Sequence, residues 1–545
     1  MGNQPSAALP PGPWAPFSQP TFRALWLAIL VGNIGTWMHD VAAAWVMAER
    51  TGSALWVAAV QSATTLPVVL LALLAGTLAD TVDRRKYLIA AQLWMFGIAT
   101  LLALLAQADR LEPWSLLALT FALGAGAAMA MPAQAAATSE LVPREMLAPA
   151  VALNSVSMNI ARSVGPALGG LVVAQFGASW AFAINALSFL GVVVVLWRWK
   201  RAPSPSLLPP ERFGSALRAG LRYASHANVF QSVLVKSASF FVFASALPAL
   251  LPIVVRKDLA AGSGTYGSLL GCIGVGAVLG ALLLPKLRMR MDHDRLVLAA
   301  SLLCALSLLG LAWIRQRELL FPVMLLNGLA WISVLSSLQI AAQTSVPPWV
   351  RARALSLYIV VFASGMAAGS LLWGAVAQRW DTAFALTLAA IATLLASGWA
   401  LRFRLGAADA LDITPSAHWP EPLLSIPHDQ DRGPVLVTVE YRIALEDRVA
   451  FLERMQWLGR SRRRDGAVQW GVMEDTAAPG IYLEYFLVAS WLEHLRQHER
   501  VTGEERRLQD VLRRLHIGDA PPQVRHFIGG APAIHAPLSG THSDI

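Results

Sequence analysis

Gly76-Thr77-Leu78-Ala79-Asp80-Thr81-Val82-Asp83-Arg84-Arg85-Lys86 joins two apolar runs, residues 54–79 and 87–107, and its reading decides the fold. Each run reaches the roughly 20 residues that a helix needs to cross a hydrocarbon core. Three consecutive cations, Arg84, Arg85 and Lys86, mark a loop on the cytoplasmic side of a membrane. The glycine is read as letting two helices approach closely, and Asp80 as capping or pairing across the gap. Such a charged loop can serve as a breakable latch when one part of a bundle rocks against another.

The pattern repeats along the chain. Apolar runs are read as helices at 23–48, 54–79, 87–107, 114–138, 146–175, 178–197, 229–255, 264–285, 296–314, 319–345, 352–378 and 382–402. Of 545 residues 56% are hydrophobic and 14% charged, whereas soluble chains carry about 25% charged residues. The net charge of +9 is no nucleic-acid footprint, because the cations fall in short clusters between the runs. Cation-rich connections hold Arg84–Lys86, Arg198–Arg201, Lys286–Arg295, Arg351–Arg353 and Arg402–Arg404; the others balance cations with acids, as in Glu49-Arg50 and Asp109-Arg110. This asymmetry predicts a multi-pass protein of a bacterial-type inner membrane with both termini cytoplasmic. Residues 1–20 lack the basic start of a cleavable signal, so the first run is read as a retained helix.

The organisation expected is an N-terminal tail (1–20), a six-helix bundle (21–200), a central cytoplasmic loop (201–228), a second six-helix bundle (229–404), a polar linker (405–432), a soluble α+β domain (433–530) and a disordered tail (531–545). The central loop carries an amphipathic surface helix at Phe213–Tyr223. Thr138-Ser139 before Pro143 matches Thr344-Ser345 before Pro347, and Ala181-Phe182 matches Ala383-Phe384, at an offset of about 200 residues. That repeat supports two duplicated halves. In the soluble part, Pro434–Tyr441 alternates as a strand, and Glu446–Arg463 reads as a helix with Val449, Phe451, Leu452, Met455 and Leu458 on one face. Strands at Val468–Val472, Tyr482–Ala489 and Val524–Ile528, with helical segments over Trp491–Leu515, complete a β-α-β-β-α-β order and predict a ferredoxin-like domain.

The loop at 76–86 resembles the signature loop of the major facilitator superfamily, G-x-L-a-D-r-x-G-r-[RK]. It departs at Thr81, where a basic residue is usual, and at Asp83, where a second glycine is usual. In the fifth run, Gly165-Pro166-Ala167-Leu168-Gly169-Gly170 resembles the end of that superfamily's antiporter motif, with Ala152 and Ala161 replacing its upstream glycines. Small residues permit tight helix packing and the proline bends the helix. Trp37-Met38-His39-Asp40-Val41, Asn154-Ser155, Asn159-Ile160-Ala161-Arg162 and Asn185-Ala186-Leu187-Ser188-Phe189 are similar to the branch of enterobactin exporters and transmembrane secretion effectors. The resemblance implies a twelve-helix all-α bundle and proton-driven export of small molecules, siderophores or drugs. The C-terminal extension resembles the small antibiotic-biosynthesis-monooxygenase type of domain, which implies dimerisation through it.

Ionisable residues inside spans are costly unless they face a cavity or a partner. Asp40 is read as the proton-coupling acid, with Arg162 as its counter-charge or a contact for an anionic substrate. An ion pair that only fixes helix packing explains the two nearly as well. Lys236 is read as snorkelling to the cytoplasmic boundary, and His39 as interfacial or hydrogen-bonded. The gating loop comprises Gly76, Asp80, Asp83, Arg84 and Arg85; the antiporter-like motif comprises Ala161, Gly165, Pro166, Gly169 and Gly170. Asn33, Trp37, Gln61, Gln134, Asn154, Asn159, Asn327, Gln339 and Gln343 are the cavity candidates, with interhelical hydrogen bonding the alternative for the polar ones.

Cys272 and Cys304 lack metal spacing and are read as inert. His494 and His498 share a helix face, read as solvated. No catalytic set, cofactor or metal site is expected. The chain has no G-x-x-x-x-G-K-[ST], which points to an ion gradient as energy source. The expected partners are a small-molecule substrate, protons and the bilayer, with no nucleic acid. The function so predicted is a proton-coupled exporter and not an enzyme; the alternative is a membrane-tethered enzyme or regulator working through residues 433–530.

Overall fold

The computed structural model describes residues 12–199, 213–347, 349–405, 416, 432–518 and 520–529; at some helical positions, Asp80 among them, only the backbone is described. The expected tail at 531–545 and almost all of the expected linker lie outside the described residues. The helices are α1 (Pro20–Thr51), α2 (Ala54–Thr81), α3 (Arg84–Gln107), α4 (Pro113–Leu141), α5 (Leu147–Phe176), α6 (Ala178–Arg198), α7 (Phe213–His226), α8 (Asn228–Ala244), α9 (Ala246–Ile253), α10 (Ser263–Arg290), α11 (His293–Trp313), α12 (Arg317–Thr344), α13 (Arg351–Arg379) and α14 (Thr382–Ala400). Among the described residues eleven helical stretches are long and apolar enough to cross a membrane. α1 is a further 32-residue helix whose apolar run is interrupted by Asn33, His39 and Asp40.

Local chemistry sets the boundaries. Gly52 takes the left-handed conformation (φ 59°) that ends α1, a geometry glycine adopts without steric cost. Ser53 then caps α2 by accepting from the Trp56 amide. Asp83 caps α3 by accepting from the Lys86 amide at 3.0 Å. The departure from glycine at that position therefore supplies a helix start. Residues 229–255, expected as one helix, instead break at Ser245 into α8 and α9, followed by a π turn at Val254–Asp258. Pro248 and Pro252 cannot donate to the preceding turn, so the ladder fails there.

The chain divides into two compact units: Met1–Pro209, Val233–Ile340 and Tyr358–Arg404 form one, and Pro210–Ser232, Ala341–Leu357 and Leu405–Ile545 the other. In the first, α1 packs on α5 and α6, α2 on α4, α3 on α6, α11 on α14, and α5 on α10. Glycines allow the last crossing: a Cβ on Gly267 would lie 2.6 Å from Gly170 Cα, and one on Gly274 2.3 Å from Ser163 Cα.

The second unit contains β1 (Val435–Arg442), α15 (Arg448–Asp465), β2 (Gln469–Glu474), β3 (Ile481–Val488), α16 (Trp491–Arg500), α17 (Gly503–Leu515) and β4 (Gln523–Ile528). The strands form one antiparallel sheet in the order β2-β3-β1-β4, which is the ferredoxin-like arrangement predicted. On the helical side of the sheet, Val439 and Tyr482 pack with Phe451, Met455 and Leu458, and Val435, Val437 and Phe486 form a second cluster with Ala467 and Trp491. Val449, expected on that face, is 69% exposed; positions 451, 455 and 458 follow the helical repeat and 449 falls outside it. α7, read as a surface helix, buries Gly220, Tyr223 and Ala224 within this unit, and Tyr223 donates to Ser345 O at 2.8 Å.

Candidate functional site

A cavity of about 440 Å³ is walled by side chains of α1 to α6. Its polar lining comes from Asn33, Thr36, His39, Asp40, Thr64, Gln92, Thr120, Gln134, Thr138 and Asn154. Asp40 is half-buried on the wall and has no hydrogen-bond or ion-pair partner among the described residues. Asn154 Nδ2 donates to Thr138 Oγ1 at 3.0 Å, which orients both side chains. An unpaired acid in an apolar bundle is costly unless its site has a use for it.

Beyond Asp40 the bundle closes. Val41–Ala48, Ala54–Val60, Ala246–Val255 and Trp373–Ala377 contribute to one buried apolar cluster. Hydrogen bonds knit the same end: Gln378 Oε1 accepts from Ser53 Oγ at 2.9 Å and from the Ala54 amide at 3.1 Å, Arg256 donates to Ala48 O, and Arg50 pairs with Asp109. The layer following Asp40 is therefore buried and apolar, with residues from both six-helix segments.

Of the sequence candidates, Asn33, Asp40, Gln134 and Asn154 line this cavity. Trp37 lies under Arg162, whose guanidinium is 5.8 Å from the ring centroid; Arg162 forms no ion pair with Asp40. Asn159 donates back to Ser155 O of its own helix, and Asn327 is buried against Cys304. Gln61 is half-buried outside the cavity lining, while Gln339 and Gln343 are exposed. Lys236 does not snorkel: it is 5% exposed and paired with Asp294. His39 is neither interfacial nor hydrogen-bonded. It is buried against Phe182, ring centroids 5.1 Å apart, and neither ring nitrogen has a partner among the described residues. Sequence reasoning missed Gln92, Thr36, Thr64 and Thr120 on the cavity wall. It also missed Tyr266, buried and stacked on Trp45 with ring centroids 6.1 Å apart. The signal available was their polarity inside apolar runs.

The motifs acquire physical roles. In α5, a Cβ on Gly165 would come 2.5 Å from Trp37 Cβ, one on Gly169 2.8 Å from Met38 Cα, and one on Gly170 2.7 Å from Gly267 Cα. Two of these glycines thus face α1 and the third faces α10, with Ala161 and Pro166 buried beside them. A Cβ on Gly76 would meet nothing within 4 Å, so no close approach explains it. Arg84 pairs with Glu140 of α4. Arg85 donates to Leu196 O (2.9 Å) and Trp197 O (2.6 Å) at the end of α6. These bonds lie within the first six helices. The Asp80 side chain lies outside the described residues.

The α+β domain buries charge. Arg462 pairs with Glu484 at 2.9 Å beneath the sheet, and Trp470 Nε1 donates to the same carboxylate at 3.0 Å. His494, read as solvated, is 1% exposed; its Nε2 lies 3.3 Å from His498 Nε2 and its ring 4.8 Å from that of His526. Burial, with His526 and His498 adjacent, pushes His494 from 6.5 down to about 3. The folded domain therefore holds it neutral while the unfolded chain protonates it below 6.5. Stability is expected to fall as pH drops through that window, by about 2 kcal/mol at pH 5. Thermal unfolding of the wild type and His494→Gln should show a flatter pH dependence in the variant; parallel curves would assign the effect elsewhere.

Among solved structures, the chain resembles a bacterial homologue of the human lysosomal transporter Spinster, inward-facing and unoccupied, with a TM-score of 0.56 at 14% identity over 72% of this chain and 97% of that one. A D-xylose–proton symporter gives 0.56 at 14% identity over 70% and 97%. These likenesses establish the major-facilitator fold. In sequence, the chain is 27% identical to the enterobactin exporter EntS of Escherichia coli over 71% of this chain and 94% of that protein. It is 23% identical to the staphyloferrin A transporter of Staphylococcus aureus over 66% and 90%. The transmembrane secretion effector family matches residues 11–533, and this multi-pass membrane protein belongs to that family.

Proposed function

We propose that the protein is a secondary active exporter of small molecules, coupled to protons and working by alternating access. The observation that carries this reading is the cavity of α1 to α6, which holds Asp40, without a partner among the described residues, beside a buried apolar layer. A carrier needs a site closed to one side at a time, and an acid at its floor can exchange a proton as access alternates. The charge asymmetry of the loops supports a cytoplasmic position for the open end and for both termini. The membrane region is read as two six-helix halves, residues 21–200 and 229–404. The sequence relatives bear siderophore names, so siderophores head the candidate cargoes. Inverted membrane vesicles with a pH-sensitive dye test this: siderophore addition should collapse a preformed ΔpH, and silence across a broad siderophore and drug panel with folded protein would refute it.

The open side of the α+β sheet supports self-association of that domain. Leu436 sits between Leu487 and Phe527 across the strands, with Met473 and Leu483 beside them, 57% and 39% exposed. An apolar sheet face is stabilised by covering it, and a second copy offers a matching surface. Leu483→Glu is expected to convert a dimer in detergent to a monomer by light scattering; a monomeric wild type would end this reading.

A further inference from the structure

Within the second unit, a cavity of about 330 Å³ lies between α7 and its exit, Ser345, and the domain helices α15 and α17. Its walls are unevenly charged. Arg464 is spent on Asp465 (3.0 Å) and Glu505 (2.7 Å), so those acids are not available to a ligand. Glu504 is exposed in the first turn of α17, where an acid complements the helix dipole. Arg460, by contrast, has no carboxylate partner among the described residues and lies 5.2 Å over the Trp457 ring. Ser461 also lines the space with no described partner, Trp457 stands at its open edge, 59% exposed, and Tyr223 supplies a second aromatic wall. A packing void would be apolar; this space presents a hydroxyl and a guanidinium without partners among the described residues, together with flat aromatic surfaces. A guanidinium fork on an aromatic platform matches a planar carboxylate in charge and geometry, and the volume falls in the range of small-ligand sites.

We propose that this cavity binds a small aromatic carboxylate, held by Arg460 and Trp457. α7 leads through Ala227 into α8, and Ser345 stands in the segment joining α12 to α13. An occupant would therefore touch chain segments continuous with three membrane helices, which gives the C-terminal domain a route to influence them.

The test uses the full chain in detergent, with benzoate as probe and benzamide as its neutral isostere. Titration calorimetry should show saturable benzoate binding at millimolar concentrations, and benzoate should slow hydrogen exchange in peptides covering 220–229 and 457–464. Arg460→Ala is expected to weaken binding about tenfold or more, the effect of losing one charge-assisted hydrogen bond. Trp457→Ala should weaken it too, with the melting temperature of the unliganded protein unchanged in both. No saturable heat, equal binding of benzamide, or benzoate binding that survives both substitutions would overturn the proposal. Survival would also place the anion at another site, so failure here leaves the transport reading untouched.

Discussion

Asp40→Asn is expected to abolish substrate-dependent collapse of ΔpH in inverted vesicles while the protein still folds and inserts. Asn has the same shape and keeps a hydrogen-bonding head, so packing of α1 against α5 and α6 is preserved. What it loses is the ability to take and release a proton. A positioned proton-transfer group is worth on the order of 100-fold or more in rate, and coupling should fall by at least that factor. Asp40 lines the cavity and has no neutralising partner among the described residues, since Arg162 lies over Trp37. Arg162→Lys would keep the charge but lose the planar stack, so its effect should fall on cargo affinity more than on proton movement. Undiminished ΔpH collapse in Asp40→Asn would remove the acid from the mechanism.

Gly267→Leu should both destabilise the bundle and stop transport. The added Cβ alone would stand 2.6 Å from Gly170 Cα and 2.6 Å from Pro166 O. Both are backbone atoms of α5, which cannot rotate aside as a side chain would. The helices must separate, and overpacking of this kind typically costs about 1–3 kcal/mol. The crossing also joins the two six-helix segments, so widening it disturbs the surface on which one must move over the other. Gly76→Ala is the contrasting substitution, because its Cβ meets nothing within 4 Å. A helix-interior glycine replaced by alanine without a clash gains roughly 0.5–1 kcal/mol, so this variant should melt no lower than wild type. A thermal-shift comparison in detergent decides both, and a Gly267→Leu protein with wild-type melting and transport would show that α5 and α10 are not held as closely as described.

How far each feature was legible follows from the range of the interactions behind it. Helix positions came from local hydrophobicity, and Asp83 and Ser53 act on amides three residues away. The ferredoxin-like order was readable because strand alternation is a local property. The break at Ser245 was visible in principle through Pro248 and Pro252, but the apolar run concealed it. Gly76 and Gly267 look alike in sequence; only the neighbour across the gap separates a tolerant position from an intolerant one.

The amino-acid sequence alone determined that the chain is a multi-pass helical bundle with an α+β domain appended, because hydrophobic length, period and loop charge are set residue by residue. Tertiary structure alone decided which polar groups share a cavity. Helix rotation and tilt, fixed by side chains hundreds of residues apart, turned Asp40, Gln92 and Asn154 inward and buried Asn327 against Cys304. They also placed Arg162 over Trp37, where sequence reasoning had offered Asp40 as its partner.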